Sequence, residues 1–167
     1  MDLYLVRHGI AEDATEEIDD ASRALTPKGR KRFVRGVRGL ARLGVRFDRV
    51  VFSPLLRAQE TAELLVPICD GELEVDCALA EPPCDELVER LAQRTEERLA
   101  LVGHEPYLSH LCGWLLFGWR VFEDRAAART FTLEKGGVVH LRGELVPGSM
   151  SLVAFYPASA LRKLARR

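Results

Sequence analysis

Two histidines and two arginines, residue types that supply nucleophiles and anion-binding cations, sit in three short motifs. These are Arg7-His8-Gly9, Ser53-Pro54 with Arg57 three residues on, and Gly103-His104-Glu105-Pro106. A neutral imidazole is a competent nucleophile near neutral pH. The guanidinium fork matches the oxygens of a phosphate. Each motif closes a short run rich in Val and Leu: residues 3–6, 50–52 and 99–102. In an open α/β sheet with right-handed crossovers, the carboxyl ends of parallel strands share one edge, and ligands bind beyond it. Arg7, His8, Arg57 and His104 should therefore converge, although they are remote in sequence. Helices starting at Pro54 and Pro106 would aim free N–H groups at the same place. Such a constellation suits a dianion, and phosphate fits it best. Gly9 is expected to let the backbone turn sharply and approach the phosphate. Ser53 reads as the N-cap of the helix that follows. His110 and His140 have no such setting and read as ordinary histidines. His110 lies six residues after His104, which excludes an H-E-x-x-H zinc site.

The elements that must position these residues alternate along the chain. The three runs are apolar on both faces, as in the interior of a parallel sheet. Helices are predicted near 27–43, 55–66, 86–95 and 106–117, with a weaker strand near 73–76. In the first helix Phe33, Val37, Leu40 and Ala41 share a face, with arginines opposite. Thr26 and Pro27 supply its N-cap and first-turn proline, and Gly44 its stop. Leu55, Ala58, Ala62 and Leu65 form a core stripe on the second helix. Trp114, Leu115, Phe117 and Trp119 read as core or as the rim of the cleft. Residues 138–141 and 152–156 read as strands joined by the turn-rich GELVPGS, an antiparallel hairpin at the sheet edge. A short helix with cations in its last turn ends the chain. The expected fold is α/β: a three-layer αβα sandwich with a mostly parallel central sheet and an antiparallel edge strand, one domain over residues 1–167.

The chain has 167 residues, 47% of them apolar and 29% charged, which suits a folded core and argues against disorder. Its 24 Lys and Arg against 25 Asp and Glu give a net charge of −1, which argues against a general nucleic-acid binder. The apolar runs fall short of the roughly 18 residues of a membrane span, and the N-terminus does not read as a signal peptide. The expectation is a soluble, cytoplasmic chain without nucleic-acid or membrane partners, a monomer. Cys69, Cys77, Cys84 and Cys112 lack zinc-site spacing and read as reduced thiols. Charge is uneven: residues 12–20 carry six acids and no base, and residues 28–49 nine bases and one acid. The acidic stretch reads as a solvated loop. If it borders the site, it should favour a phosphoryl group carried on a basic protein surface.

The motifs LVRHG, VVFSPLLRAQETAELL and LVGHEP, in that order, resemble the histidine phosphatase superfamily. The short chain and the RALTPKG after the first motif look like the SixA-type phosphohistidine phosphatases within it. Position by position, the resemblance makes His8 the phosphorylated nucleophile and Arg7, Arg57 and His104 the phosphate-binding residues, with Gly9 and Glu105 beside them. Gly9 and Glu105 are expected to join Arg7, Arg57 and His104 in binding the phosphate, and the resemblance implies a hydrolase that takes a phosphoryl group from a protein histidine through a phospho-His8 intermediate. The substrate would be a phosphorylated protein of the histidine-containing phosphotransfer type, in signal transduction. No cofactor or metal is implied, because Arg7, Arg57 and His104 would supply the cations that neutralise the equatorial oxygens.

Phosphomonoesterases of this superfamily use a carboxylic acid to protonate the leaving oxygen. That acid would lie in the stretch from Asp76 to Pro83, where Ala78 stands at a position that can carry Glu and Glu81 lies three residues on. Glu81 is the candidate general acid. Without one, a phosphoramidate is a better substrate than an ester, since a leaving imidazole has a pKa of roughly 6.5. Two other readings stand beside this one: a small-molecule phosphomonoesterase or mutase of the same superfamily, and a non-catalytic binder of phosphorylated proteins.

Overall fold

The computed structural model describes residues 1–15, 19–118 and 132–166. Six strands form one sheet: β1 (Asp2–Arg7), β2 (Arg49–Phe52), β3 (Leu73–Val75), β4 (Arg98–Gly103), β5 (Val138–Gly143) and β6 (Met150–Tyr156), in the order β3-β2-β4-β1-β5-β6. The first four run parallel. β5 lies antiparallel to both β1 and β6. The hairpin expected at the edge is thus present, with β5 as the reversed strand and β6 as the outer one.

Alternation along the strands divides the core. Leu3, Leu5, Leu99 and Leu101 pack on one face with α3 (Asp85–Ala92) and α4 (Tyr107–Phe117). Tyr4, Val6, Ala100 and Val102 pack on the other with α1 (Pro27–Arg42), α2 (Leu56–Glu63) and α5 (Ala158–Leu164). Both faces are covered, as the unbroken apolar runs require. Trp114 and Leu115 are buried as expected, whereas Phe117 is exposed. Trp119 lies outside the described residues.

The start of α1 ties the fold to the chemistry. Thr26 Oγ1 accepts the Gly29 N–H at 2.8 Å, with Pro27 in the first turn, and Gly44 past the end takes φ +75°. The Thr26 N–H donates to the Ile10 carbonyl at 2.9 Å. A Cβ on Gly29 would lie 2.0 Å from that same oxygen. The glycine therefore lets α1 seat against the chain two residues past His8.

Candidate active site

Strand register brings the motifs together. Arg7 pairs with Gly103 across β1 and β4, and the His8 N–H donates to the Gly103 carbonyl at 3.1 Å. The next residue on each strand is a histidine, and the two rings lie 5.1 Å apart, tilted by 48°. Phe52 pairs with Val102, so Ser53 arrives beside His104. Arg57 comes from the first turn of α2, and it is 6% exposed, as are His8 and His104.

Each ring is held by one nitrogen. His8 Nδ1 lies 2.7 Å from the Gly9 carbonyl oxygen. A carbonyl only accepts, so Nδ1 carries the proton and Nε2 keeps its lone pair. Burial pushes the His8 pKa down to about 3, with smaller contributions from His104, Arg57 and Arg7 against the opposing Gly9 bond. His104 Nε2 lies 2.7 Å from Ser53 Oγ. Burial, then Arg57, pushes its pKa down to about 4. Both rings are neutral near neutral pH, so His104 is not the standing cation that the sequence reading expected. A dianion beside it would favour its protonated form.

The arginines are anchored by their terminal nitrogens. Arg7 Nη1 donates to the Leu133 carbonyl at 2.6 Å. Arg57 donates from Nη1 to the Asp20 carbonyl at 2.7 Å and from Nη2 to the Asp20 carboxylate at 3.0 Å. Arg23 donates to the same carboxylate from Nε and Nη2. Arg23 first, then Arg57, holds the Asp20 carboxyl below the usual range. Three buried nitrogens around the two rings have no partner: Arg7 Nε, Arg57 Nε and His104 Nδ1. An unpaired buried polar group costs about 1–3 kcal/mol. Three of them on the residues of one candidate site fit a catalytic role for that site.

Several residues do something other than expected. Ser53 is not a cap: Leu55 is the N-cap of α2, and the hydroxyl orients His104 instead, with only a 3.4 Å contact from the Leu55 N–H. Gly9 turns its N–H away from any ligand, donating it to Thr61 Oγ1 at 3.0 Å. Glu105 accepts from Ser109 Oγ at 2.7 Å and from the Leu133 N–H at 2.9 Å. Its negative charge opposes the desolvation of Arg7 and suits a structural role over phosphate binding. Glu81 is exposed and lines a small cleft with Leu79, Leu87 and Leu108 that includes none of the four converging residues. His140, as expected, is structural, stacked on Tyr4 and bonded to Asp2.

Sequence reasoning missed Thr61, Asp20 and Arg23. Thr61 is fully buried and links the Arg57 carbonyl, at 2.6 Å, to Gly9. Its position four residues after Arg57, on the same helix face, was a readable signal. Asp20 counts in the sequence only as one of the six acids of residues 12–20, without a partner at the site, and nothing local points to Arg23.

A doubly covered, mostly parallel sheet with two histidines and two arginines at its carboxyl edge defines an α/β protein whose candidate site suits a phosphate-type anion. Residues 3–84 match the model of the histidine phosphatase superfamily (branch 1). An uncharacterized protein of Picosynechococcus is 35% identical over 149 residues, 85% of this chain and 85% of that protein. The fold also matches the structure of the protein histidine phosphatase SixA complexed with tungstate, with a TM-score of 0.79 and 21% identity over 96% of this chain and 99% of that one. The α-ribazole phosphatase of Shigella flexneri gives a TM-score of 0.73 at 20% identity, over 95% and 97% of the two chains. The chain belongs to the histidine phosphatase superfamily.

Proposed function

We propose that this protein is a phosphohistidine phosphatase, removing the phosphoryl group from a histidine of a partner protein. His8 Nε2 attacks phosphorus while the P–N bond to the substrate imidazole breaks, and that imidazole takes a proton from solvent. Water then attacks phospho-His8, releasing inorganic phosphate and returning the electron pair to Nε2. Arg7, Arg57 and His104 bind the phosphoryl oxygens in both steps. The Gly9 carbonyl stabilises the imidazolium that forms on His8 by accepting from Nδ1–H. The observation that carries the choice of substrate is the carboxylate inventory. Among the described residues, Asp20 alone brings a carboxylate within hydrogen-bond reach of these four side chains, and two arginines keep it ionised. General acid catalysis is typically worth on the order of 10²–10⁴-fold. A phosphoramidate needs it least, because its leaving group is already a weak base.

Hydrolysis of free phosphohistidine beside a panel of alkyl and sugar phosphates tests the reading. A preference for phosphohistidine on the order of 10²–10⁴-fold is expected. Equal turnover of the esters would promote the second reading, a small-molecule phosphomonoesterase, which the likeness of fold to the α-ribazole phosphatase favours.

A further inference from the structure

The cations of this chain are not used evenly. Among the described residues before α5, every arginine outside α1 except Arg7 pairs with a carboxylate. α1 carries seven cations and no acid, and among the described residues only Arg30 has a carboxylate partner, Glu60. α5 adds Arg162 and Lys163, again with no acid and no ion pair among the described residues. The two helices pack directly together, and a Cβ on Gly39 of α1 would lie 2.2 Å from the Leu161 carbonyl of α5. All four lysines of the chain lie on these helices or on the turn at Lys135. Elsewhere, 15 cations stand against all 25 acids. The protein is therefore strongly polarised although its net charge is −1.

This basic face reaches the active site. A small cleft between α1, α5 and the loop after β1 is lined by Gly9 and Ile10, the two residues after His8. Arg32, Lys135 and Arg162 also line it, and among the described residues no acid does. Lys135 lies two residues from Leu133, whose carbonyl anchors Arg7. Glu134, next to Lys135 in the chain, accepts from the Ser159 N–H at the start of α5.

We propose that the α1/α5 face docks an acidic protein surface, with one partner carboxylate seated among Arg32, Lys135 and Arg162. The docking deepens the phosphatase reading, on which only the delivery of a phosphoryl group to His8 depends. A nucleophile this deeply buried is reached by a protein-borne phosphohistidine only if the carrier is held at the rim, and complementary charge does that by steering and orienting the encounter. A nucleic acid fits less well. The one aromatic residue of α1, Phe33, is buried and offers no base a stacking surface, and an extended polyanion would run onto the acidic remainder of the molecule. Asp20, an acid of residues 12–20 that bonds a site residue, is neutralised by Arg23 and Arg57, so the basic partner surface expected from that stretch does not extend to the α1/α5 face.

The test reads binding apart from turnover. Fluorescence anisotropy is followed with three labelled probes: a glutamate-rich peptide, a lysine-rich peptide and a single-stranded DNA oligonucleotide of the same charge as the first. The intact chain should bind the glutamate peptide best, and added salt should weaken that binding. The Arg32→Glu/Arg162→Glu protein should bind it at least about tenfold more weakly. Arg32→Gln/Arg162→Gln, which leaves fold-sensitive charge reversal out, should fall between. Phosphoramidate hydrolysis should not change in either variant. Unchanged peptide binding in both variants, or a stronger grip on the lysine peptide or the oligonucleotide, overturns the docking surface. Loss of phosphoramidate hydrolysis in the intact chain would instead overturn the phosphatase reading, and the anisotropy result would still decide the docking.

Discussion

Among the described residues only Nδ1 of His8 has a hydrogen-bond partner, the Gly9 carbonyl, so the proposed nucleophile is a single atom, Nε2, and can be tested by chemistry. Brief treatment with phosphoramidate should add one acid-labile phosphate at His8, and equal labelling of His8→Ala would remove the assignment. Arg7→Ala, Arg57→Ala and His104→Ala should each cost about 2–4 kcal/mol of transition-state stabilisation, by analogy with losing an oxyanion donor. A loss below about tenfold, roughly 1.4 kcal/mol, would take that residue out of the site. Ser53→Ala strips His104 of its one partner in a fully buried position. Its kcat should drop while KM for phosphohistidine moves little, because the ring loses orientation and not charge. Glu81→Gln should leave phosphohistidine hydrolysis nearly intact, since its cleft excludes the four site residues.

At the level of elements, the three glycines facing inward from α1 differ in what surrounds them. A methyl at Gly29 would meet the Ile10 carbonyl at 2.0 Å, and one at Gly39 the Leu161 carbonyl at 2.2 Å, while at Gly36 the nearest atom is 3.9 Å away. Gly36→Ala should therefore be neutral or stabilising by up to about 1 kcal/mol, from helix propensity alone. Gly29→Ala should destabilise by about 1–3 kcal/mol and also lower activity, because the backbone that yields is the one carrying His8 and Gly9. Gly39→Ala should destabilise similarly through the α1–α5 contact with far less effect on turnover of a small phosphoramidate. Denaturant melts and kcat measured side by side separate these outcomes, and equal effects of all three substitutions would contradict them.

For the whole molecule, the buried neutral histidines predict the sign of acid destabilisation. Their folded pKa values, about 3 for His8 and about 4 for His104, lie below the unfolded value of roughly 6.5. Above that value neither state gains a proton. As pH falls below it, the unfolded chain takes protons that the folded chain refuses, so stability declines until the folded pKa values are passed. Thermal unfolding of the intact chain and of His8→Ala/His104→Ala over this range should show a shallower decline in the double variant. Parallel curves would contradict the burial argument. Catalysis should survive chelators, since side-chain cations fill the role a metal has elsewhere. Full loss in EDTA restored by Mg²⁺ would contradict that.

Much of this was legible in the residues alone. Runs such as LYLV and LALV, apolar at every position, demand cover on both faces, which makes them interior strands of a parallel sheet and sends their carboxyl ends to one edge. The cap Thr26-Pro27, the stop at Gly44 and the turn between β5 and β6 are local signals with a range of a few residues, and the structure keeps all three. The convergence of Arg7, His8, Arg57 and His104 follows from that topology. What surrounds them does not. Ser53 with His104, Thr61 with Gly9, Asp20 with Arg57 and the Leu133 carbonyl with Arg7 are hydrogen bonds between residues 37 to 126 positions apart. Helical and strand periodicity report which face of an element is apolar, but a polar side chain's partner depends on how whole elements pack. Gly9 lost its expected role for that reason, its N–H claimed by a threonine from α2. The cationic face of α1 was plain in the sequence as a run of bases. That, among the described residues, it stays unpaired apart from Arg30, joins α5 and borders the loop after His8 was decided by tertiary structure, because ion pairs form where packing places carboxylates within reach, and here it placed them elsewhere.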